Sequence, residues 1–268
     1  MMPYRPRTAL ITGGGSGIGA ALAGQLVKAG TSVVVADLNV DRAKPVTHGV
    51  GRAEMVALDV SAPAQVEALF KKLKSDYESL DLVVNCAGIS SYGETSEIPR
   101  AEWDRVIDVN LRGTIDVSLA AFASMREGGG GSIVNVASVS AFLNPPLFGP
   151  YITSKAAVIG FSRALAVEAE AHGVLVSVVC PGNVRTPMLG AWKQSFLTPS
   201  ISPEDAATRI LKGVAKRRTM IVFPFYAKVF WYLDRLSPGL LDPARRAILR
   251  RARARKSAES RKAPGGET

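Results

Sequence analysis

In Thr8-Ala-Leu-Ile-Thr-Gly-Gly-Gly-Ser-Gly-Ile-Gly19 a short apolar run passes straight into a crowd of glycines. The run is β-prone and suits a strand buried on both faces. Gly13, Gly14, Gly15, Gly17 and Gly19 surround Ser16 and Ile18, and a helical pattern follows through Ala20, Leu22, Ala23, Leu26 and Val27 to Gly30. Strand, glycine turn and helix N-terminus together cradle a pyrophosphate. The glycines let the backbone come close, and free N–H groups with the helix dipole favour the anion. Glycine-rich turns are common, so the strand before and the helix after carry the weight.

Working outward, residues 31–36 read as a second strand with Asp37 at its end. A carboxylate about 20 residues past such glycines accepts from both adenosine ribose hydroxyls and repels a 2′-phosphate. A helix cap or turn aspartate is the plain alternative. Residues 53–58 form the next strand, ending at Asp59 and Val60, and helical periodicity runs from 64 to 77. Residues 80–85 are a strand that reaches Asn85 and opens into Cys86, Ala87 and Gly88. Residues 103–123 read as one long helix with Asn110 on it, residues 132–137 as a strand with Ser138 at its carboxyl end, and residues 174–179 as a strand stopping at Cys180-Pro-Gly182.

Strands alternating with helices predict an α/β fold, a single-domain Rossmann-type doubly wound parallel sheet flanked by helices, because parallel strands need crossovers. Residues 1–224 make up that domain, and residues 225–268 form a C-terminal extension. The glycine turn, Asp37, Asp59, Asn85, Ser138 and Pro181 all fall at carboxyl ends of strands, the edge where such sheets bind ligands.

Tyr151-Ile-Thr-Ser-Lys155 opens another helix, so its phenol and ammonium share a face. A free phenol titrates near 10, and a cation a few ångströms away lowers that value. A tyrosine tuned this way can exchange a proton with an alcohol or carbonyl oxygen. Taken alone, Tyr-x-x-x-Lys is also a common accident of a helix surface.

Composition narrows the classes. The 268 residues are 47% hydrophobic, with mean hydropathy +0.14, enough for a substantial core. No run approaches the 18 or so apolar residues of a membrane span, and residues 1–7 lack the apolar core of a signal peptide, so a cytoplasmic protein is expected. Cys86 and Cys180 read as small buried residues, and with only His48 and His172 no metal site is expected. Residues 242–268 hold nine Lys/Arg against three Asp/Glu, so six of the ten net positive charges sit there.

At this density the motifs resemble the single-domain branch of the short-chain dehydrogenase/reductase family, over residues 7–222. Thr12-Gly-Gly-Gly-Ser-Gly-Ile-Gly19 matches its T-G-x-x-x-G-x-G, and Asn85-Cys-Ala-Gly88 its N-N-A-G with a cysteine substituted. Asn110, Ser138, Tyr151 and Lys155 match its tetrad, and Pro181-Gly182 its P-G motif. The resemblance implies an NAD(P)-dependent oxidoreductase acting on alcohols or ketones. Tyr151 would be the acid/base, and Lys155 would bind the nicotinamide ribose and lower the tyrosine pKa. Ser138 would orient the substrate oxygen, and Asn110, at a helix kink, would hold a water leading from Lys155 to solvent. It further implies that Gly13, Ser16, Gly17, Ile18 and Gly19 meet the pyrophosphate side and that Asp37 and Leu38 meet the ribose. Asp59 and Val60 would line the adenine, Asn85, Ala87 and Gly88 the adjoining turn, and Pro181, Gly182, Val184 and Thr186 the carboxamide side. Asp37, with Ser16 and Leu38 where NADP-preferring relatives carry basic residues, predicts NAD over NADP. A homodimer or homotetramer through the helices holding Asn110 and Tyr151 is implied as well. A non-catalytic nucleotide-binding scaffold of the same fold is the rival reading, and the intact tetrad argues against it.

Residues 188–201 correspond to a mobile lid in such proteins. Leu189, Trp192, Phe196 and Leu197, with Phe142, Leu143, Leu147 and Phe148, either line an apolar substrate pocket or pack the lid on the core. If they line it, the substrate is steroid-, retinoid- or lipid-like. Ser202-Pro-Glu-Asp205 is a capping sequence for a helix over 203–217. Residues 225–241 are aromatic and apolar, and residues 242–256 are arginine-rich. This extension reads as a pocket cap or subunit interface, as a helix on an anionic membrane surface, or as a solvated tail, with residues beyond Ala254 disordered. Nucleic-acid binding is not expected, for no base-reading motif accompanies the basic run.

Overall fold

The computed structural model describes residues 4–40, 51–189 and 198–262. Its strands are β1 (Thr8–Thr12), β2 (Ser32–Asp37), β3 (Ala53–Ala57), β4 (Leu82–Asn85), β5 (Gly131–Val136), β6 (Val174–Pro181) and β7 (Met220–Phe223). Its α-helices are α1 (Gly17–Lys28), α2 (Pro63–Asp76), α3 (Arg100–Ile107), α4 (Gly113–Glu127), α5 (Ser140–Leu143), α6 (Gly149–Glu170), α7 (Pro203–Ala215), α8 (Phe225–Leu236) and α9 (Asp242–Lys262). The strands form one parallel sheet in the order β3-β2-β1-β4-β5-β6-β7. The Rossmann-type sheet anticipated from the alternating pattern is therefore present.

Strand alternation sorts side chains between two faces. Ala9, Ile11, Val33 and Val35 pack against Leu22 and Leu26 of α1 and Ile210 and Leu211 of α7. Leu10, Val34, Val83 and Ile133 pack on the other face against Leu69 of α2, Val117 of α4 and Leu165 of α6. Full burial of each such side chain contributes about 1.5–3 kcal/mol. Both faces are covered, as the continuous apolar strands demand. The cap foreseen at Ser202 forms, its hydroxyl accepting from the Asp205 N–H at 3.0 Å.

The sheet reverses its winding between β1 and β4, which lie side by side with Thr12 opposite Asn85. Loops leaving these two strands turn opposite ways and open a crevice. A third cluster lies toward the β6–β7 end, where Ala227 and Trp231 of α8 pack against Phe142 of α5 and Ile159 of α6. The extension is thus docked on the sheet's ligand edge. There α9 continues past Ala254 to Lys262, where composition suggests a loose tail.

The reading of residues 103–123 as one helix is corrected. A π-helical turn, Asp108–Arg112, separates α3 from α4. The extra residue in that turn brings Asn110 fully into the interior.

Candidate active site

β1 ends at Thr12, and its chain folds over the start of α1 in the glycine turn. At Gly13 φ is +63°, and a Cβ there would lie 2.6 Å from the backbone of Ala87 after β4. Glycine is required both for that conformation and for the close approach. The first N–H groups of α1 have no partners within their own helix and open toward the crevice. Asp37 at the end of β2 accepts from the Gly15 N–H at 2.9 Å through one oxygen and from the Asn39 N–H at 3.0 Å through the other. The carboxylate is thereby fixed beside the turn, with lone pairs to spare for a diol.

A continuous cavity of about 810 Å³ runs along this edge. Gly13, Ser16, Gly17, Ile18 and Gly19 line it, as do Asp37, Leu38, Asp59, Val60, Ala87 and Gly88. Ser138, Tyr151, Lys155, Pro181, Gly182, Val184 and Thr186 line its other half. Two expected residues are not in the lining. Asn85 points away, its amide donating to Ser118 Oγ at 3.0 Å and to Asn135 Oδ1 at 2.8 Å. It braces β4 against β5 and α4 rather than facing a ligand. Asn110 lies one layer behind. Its Oδ1 accepts from the Ile89 N–H at 2.8 Å, and its Nδ2 donates to the Ile89 carbonyl at 2.9 Å and to Ser154 Oγ at 3.0 Å. These bonds clamp the turn after Gly88 to α6.

The reactive groups converge where β5 and α6 meet. Ser138 follows β5, and its Oγ accepts from the Ser140 N–H at 3.1 Å. The same hydroxyl acts on the Tyr151 phenol, favouring its ionised form. Lys155 is buried one turn further along α6, its Nζ donating to the Val136 carbonyl at 2.8 Å and lying 5.9 Å from the centre of the Tyr151 ring. Burial brings its pKa down to about 8, an effect that the nearby thiols of Cys86 and Cys180 partly offset. Burial pushes both thiols up to about 12, with Lys155 acting the other way.

The expected lowering of the tyrosine by the lysine is not met in this arrangement. Burial holds the Tyr151 phenol above its ordinary value; the Ser138 hydroxyl works against that, and Cys180 adds to it. The ammonium is committed to the Val136 carbonyl, and desolvation of the phenol prevails. Cys86, expected to be buried, is partly exposed and lines the cavity.

Beyond Tyr151 the cavity becomes apolar. Leu143, Phe148 and Leu189 line it as one of the two readings had it, whereas Phe142 and Leu147 are packed into the body. Trp192, Phe196 and Leu197 lie outside the described residues. Two lining residues escaped the sequence reading because both come from the extension: Tyr226 of α8 and Ile248 of α9. Tyr226 Oη accepts from the Asn183 N–H at 2.8 Å, and a Cβ on Gly182 would meet that oxygen at 2.3 Å. The segment 182–186 is therefore held by α8. Arg245 of α9 donates to the Leu143 carbonyl at 2.8 Å, and Arg253 pairs through two nitrogens with Glu94, each at 2.9 Å. The pocket-cap reading of the extension describes this geometry.

The fit to a dinucleotide rests on the turn itself: a Cβ at Gly13 would strike the Ala87 backbone, so only glycine lets β1 and β4 close up there, and the Asp37 carboxylate beside the turn lines the same cavity. Among the described residues, no cluster of His, Cys, Asp or Glu could hold a metal ion, and no helix is long and apolar enough to cross a membrane.

Comparison with known proteins agrees with this geometry. The family model described as short chain dehydrogenase matches residues 7–195. A relative from Xanthobacter autotrophicus, 2-(S)-hydroxypropyl-CoM dehydrogenase 3, is 35% identical over 206 residues, covering 75% of this chain and 80% of its own. The short-chain reductase protein NovJ of Streptomyces niveus is 38% identical over 185 residues, covering 68% and 70%. A short-chain type dehydrogenase/reductase from Mycobacterium marinum superposes with a TM-score of 0.75 at 30% identity, covering 82% of this chain and 94% of that one. With motif, sheet order and relatives in agreement, the chain belongs to the short-chain dehydrogenase family of oxidoreductases.

Proposed function

We propose that the protein transfers a hydride between NAD(H) and an apolar secondary alcohol or its ketone, with Tyr151 as the proton partner. One observation carries this reading. The hydroxyls of Ser138 and Tyr151 and the ammonium of Lys155 line one cavity, between its glycine-turn half and its apolar half.

Nicotinamide, when bound, supplies or accepts the hydride. In the oxidation direction Ser138 donates to or accepts from the substrate oxygen and orients it. Tyr151, as phenolate, takes the hydroxyl proton; in reduction it returns one to the forming alkoxide. Lys155 holds positive charge near the phenol and the ribose position. Asn110 fixes the turn around Ile89 and, through Ser154, the helix that carries both Tyr151 and Lys155. The relative from Xanthobacter has a name describing dehydrogenation of a secondary 2-hydroxypropyl alcohol, which supports CH–OH chemistry. Leu143, Phe148, Leu189 and Ile248 support an apolar substrate of steroid, retinoid or lipid type.

For the cofactor, Asp37 supports NAD over NADP. A 2′-phosphate beside a carboxylate fixed by two backbone N–H groups meets like charge, and the neighbouring Leu38, 71% exposed, offers it no donor. The test is a pair of dissociation constants, with tighter NADPH than NADH binding overturning the choice. Exposed Leu119 on α4 and Val167 on α6 support a homodimer or homotetramer through those helices. The reaction itself is tested with NAD⁺ and a panel of secondary alcohols. Turnover of small polar polyols alone would remove the apolar assignment, and cellular function surviving Tyr151→Phe would favour the scaffold reading.

A further inference from the structure

We propose that α8 is a docking helix that seats on an anionic phospholipid bilayer surface. Docking of this kind does not depend on the reaction. At 3.6 residues per turn, Phe225, Val229, Tyr232 and Leu236 fall within about 60° of one another around the helix. All four face outward, exposed by 80%, 40%, 57% and 82%, and Leu240 in the following turn is 57% exposed. Core packing does not account for this stripe, because α8 is already docked through its opposite side. There Ala227 is fully buried, and Asp234 faces Arg245 of α9 at 3.6 Å. A helix with both sides apolar has one side in excess, and large exposed apolar patches mark interaction surfaces.

Charge selects the occupant. Lys228 and Arg235 are exposed along one flank of the stripe, and the Arg235 guanidinium lies 5.1 Å above the Trp231 ring. Arg246, Arg250 and Arg251 are exposed on α9. Residues 225–262 hold eleven Lys/Arg against three Asp/Glu, a net charge of +8. A second copy of this chain would press two such surfaces together, and like charges would oppose it. An anionic bilayer complements the charge, accepts the apolar side chains below its headgroups and leaves the basic flank at the surface. With no helix able to span a membrane among the described residues, the attachment is peripheral.

The test is flotation of the full chain with vesicles of phosphatidylcholine alone and of phosphatidylcholine with roughly one third phosphatidylglycerol. The expected result is flotation with the anionic vesicles, release by high salt, and little flotation with neutral ones. Phe225→Ser with Leu236→Ser lowers the partition at least ~10-fold, since both side chains leave the bilayer. Lys228→Gln with Arg235→Gln lowers it about 10-fold at low salt. Tyr232→Ser with Leu240→Ser gives an independent pair should the first lose its fold by circular dichroism. Three results overturn the proposal: no flotation with anionic vesicles, equal flotation with neutral ones, or folded stripe variants that partition as the parent does. Stripe variants that shrink the oligomer without vesicle binding would assign the face to a second copy instead.

Discussion

Replacing Lys155 with Met is expected to make the protein more stable at neutral pH while removing its activity. The lysine is 4% exposed, and burial brings its pKa from 10.5 to about 8. At ~1.36 kcal/mol per pH unit, that drop corresponds to about 3 kcal/mol of cost for keeping the group charged inside. The sign follows from proton counting. Between pH 8 and 10.5 the unfolded chain holds a proton on this lysine that the folded chain has released, so stability rises with pH across that window. Below pH 8 both states carry the proton, and the folded state bears the whole cost. Methionine occupies similar volume without charge but loses the hydrogen bond to Val136, worth about 1.5–3 kcal/mol for a charged donor. The variant should therefore exceed the parent by up to about 1.5 kcal/mol at pH 7, and that advantage should shrink as pH rises above 8. The natural assay is urea unfolding by tryptophan fluorescence at several pH values, read as variant minus parent. The thiols of Cys86 and Cys180, which Lys155 itself holds lower, pull total stability the other way above pH 9, so the difference is read between pH 7 and 9, where both thiols stay protonated. A variant less stable than the parent at pH 7, or a difference that does not change with pH, would refute the reasoning.

Other outcomes follow from the same geometry. Tyr151→Phe should cut turnover about 10²–10⁴-fold, while fluorescence titration shows NADH binding within a few-fold of the parent. Because burial holds the Tyr151 phenol above its ordinary value, kcat/KM for alcohol oxidation should keep climbing as the pH is raised from neutral, while ketone reduction, which uses the protonated phenol, stays level over that range; an oxidation profile already flat at neutral pH would contradict this. Tyr226→Phe removes the acceptor for the Asn183 N–H, leaving a buried donor unpaired at about 1–3 kcal/mol, so KM for the cofactor should rise roughly 10-fold with little change in kcat. Ile210→Ala, in the core between α7 and the sheet, should cost about 2–5 kcal/mol in denaturant unfolding.

Much of the site could be read in advance because its parts lie at strand ends, and strand ends are marked locally by apolar runs stopping at Gly, Asp or Pro. The glycine turn, Asp37, Asp59, Ser138 and Pro181 are of that kind, while Tyr151 and Lys155 show through their four-residue spacing at the start of a helix. Asn85 was misplaced because period-2 alternation fixes which face a side chain takes only when register and neighbours are known; Ser118 and Asn135 claim it from elements 33 and 50 residues away. The π-helical turn left no signal in the apolar spacing over residues 103–123, which one inserted residue barely disturbs; only the family resemblance placed a kink at Asn110. Tyr226 and Ile248 could not be assigned from local pattern at all. Their place depends on contacts such as Arg253 with Glu94, 159 residues apart in sequence.

The grip of Tyr226 on the Asn183 N–H ties two outcomes together. One rod of twelve residues touches the cavity-lining segment at Asn183 on its inner side and the surroundings on its outer side. Linkage is reciprocal, so a body that bends or steadies this rod from outside must alter how tightly nucleotide is retained. Nucleotide, in turn, must alter how firmly that body is held by the same factor.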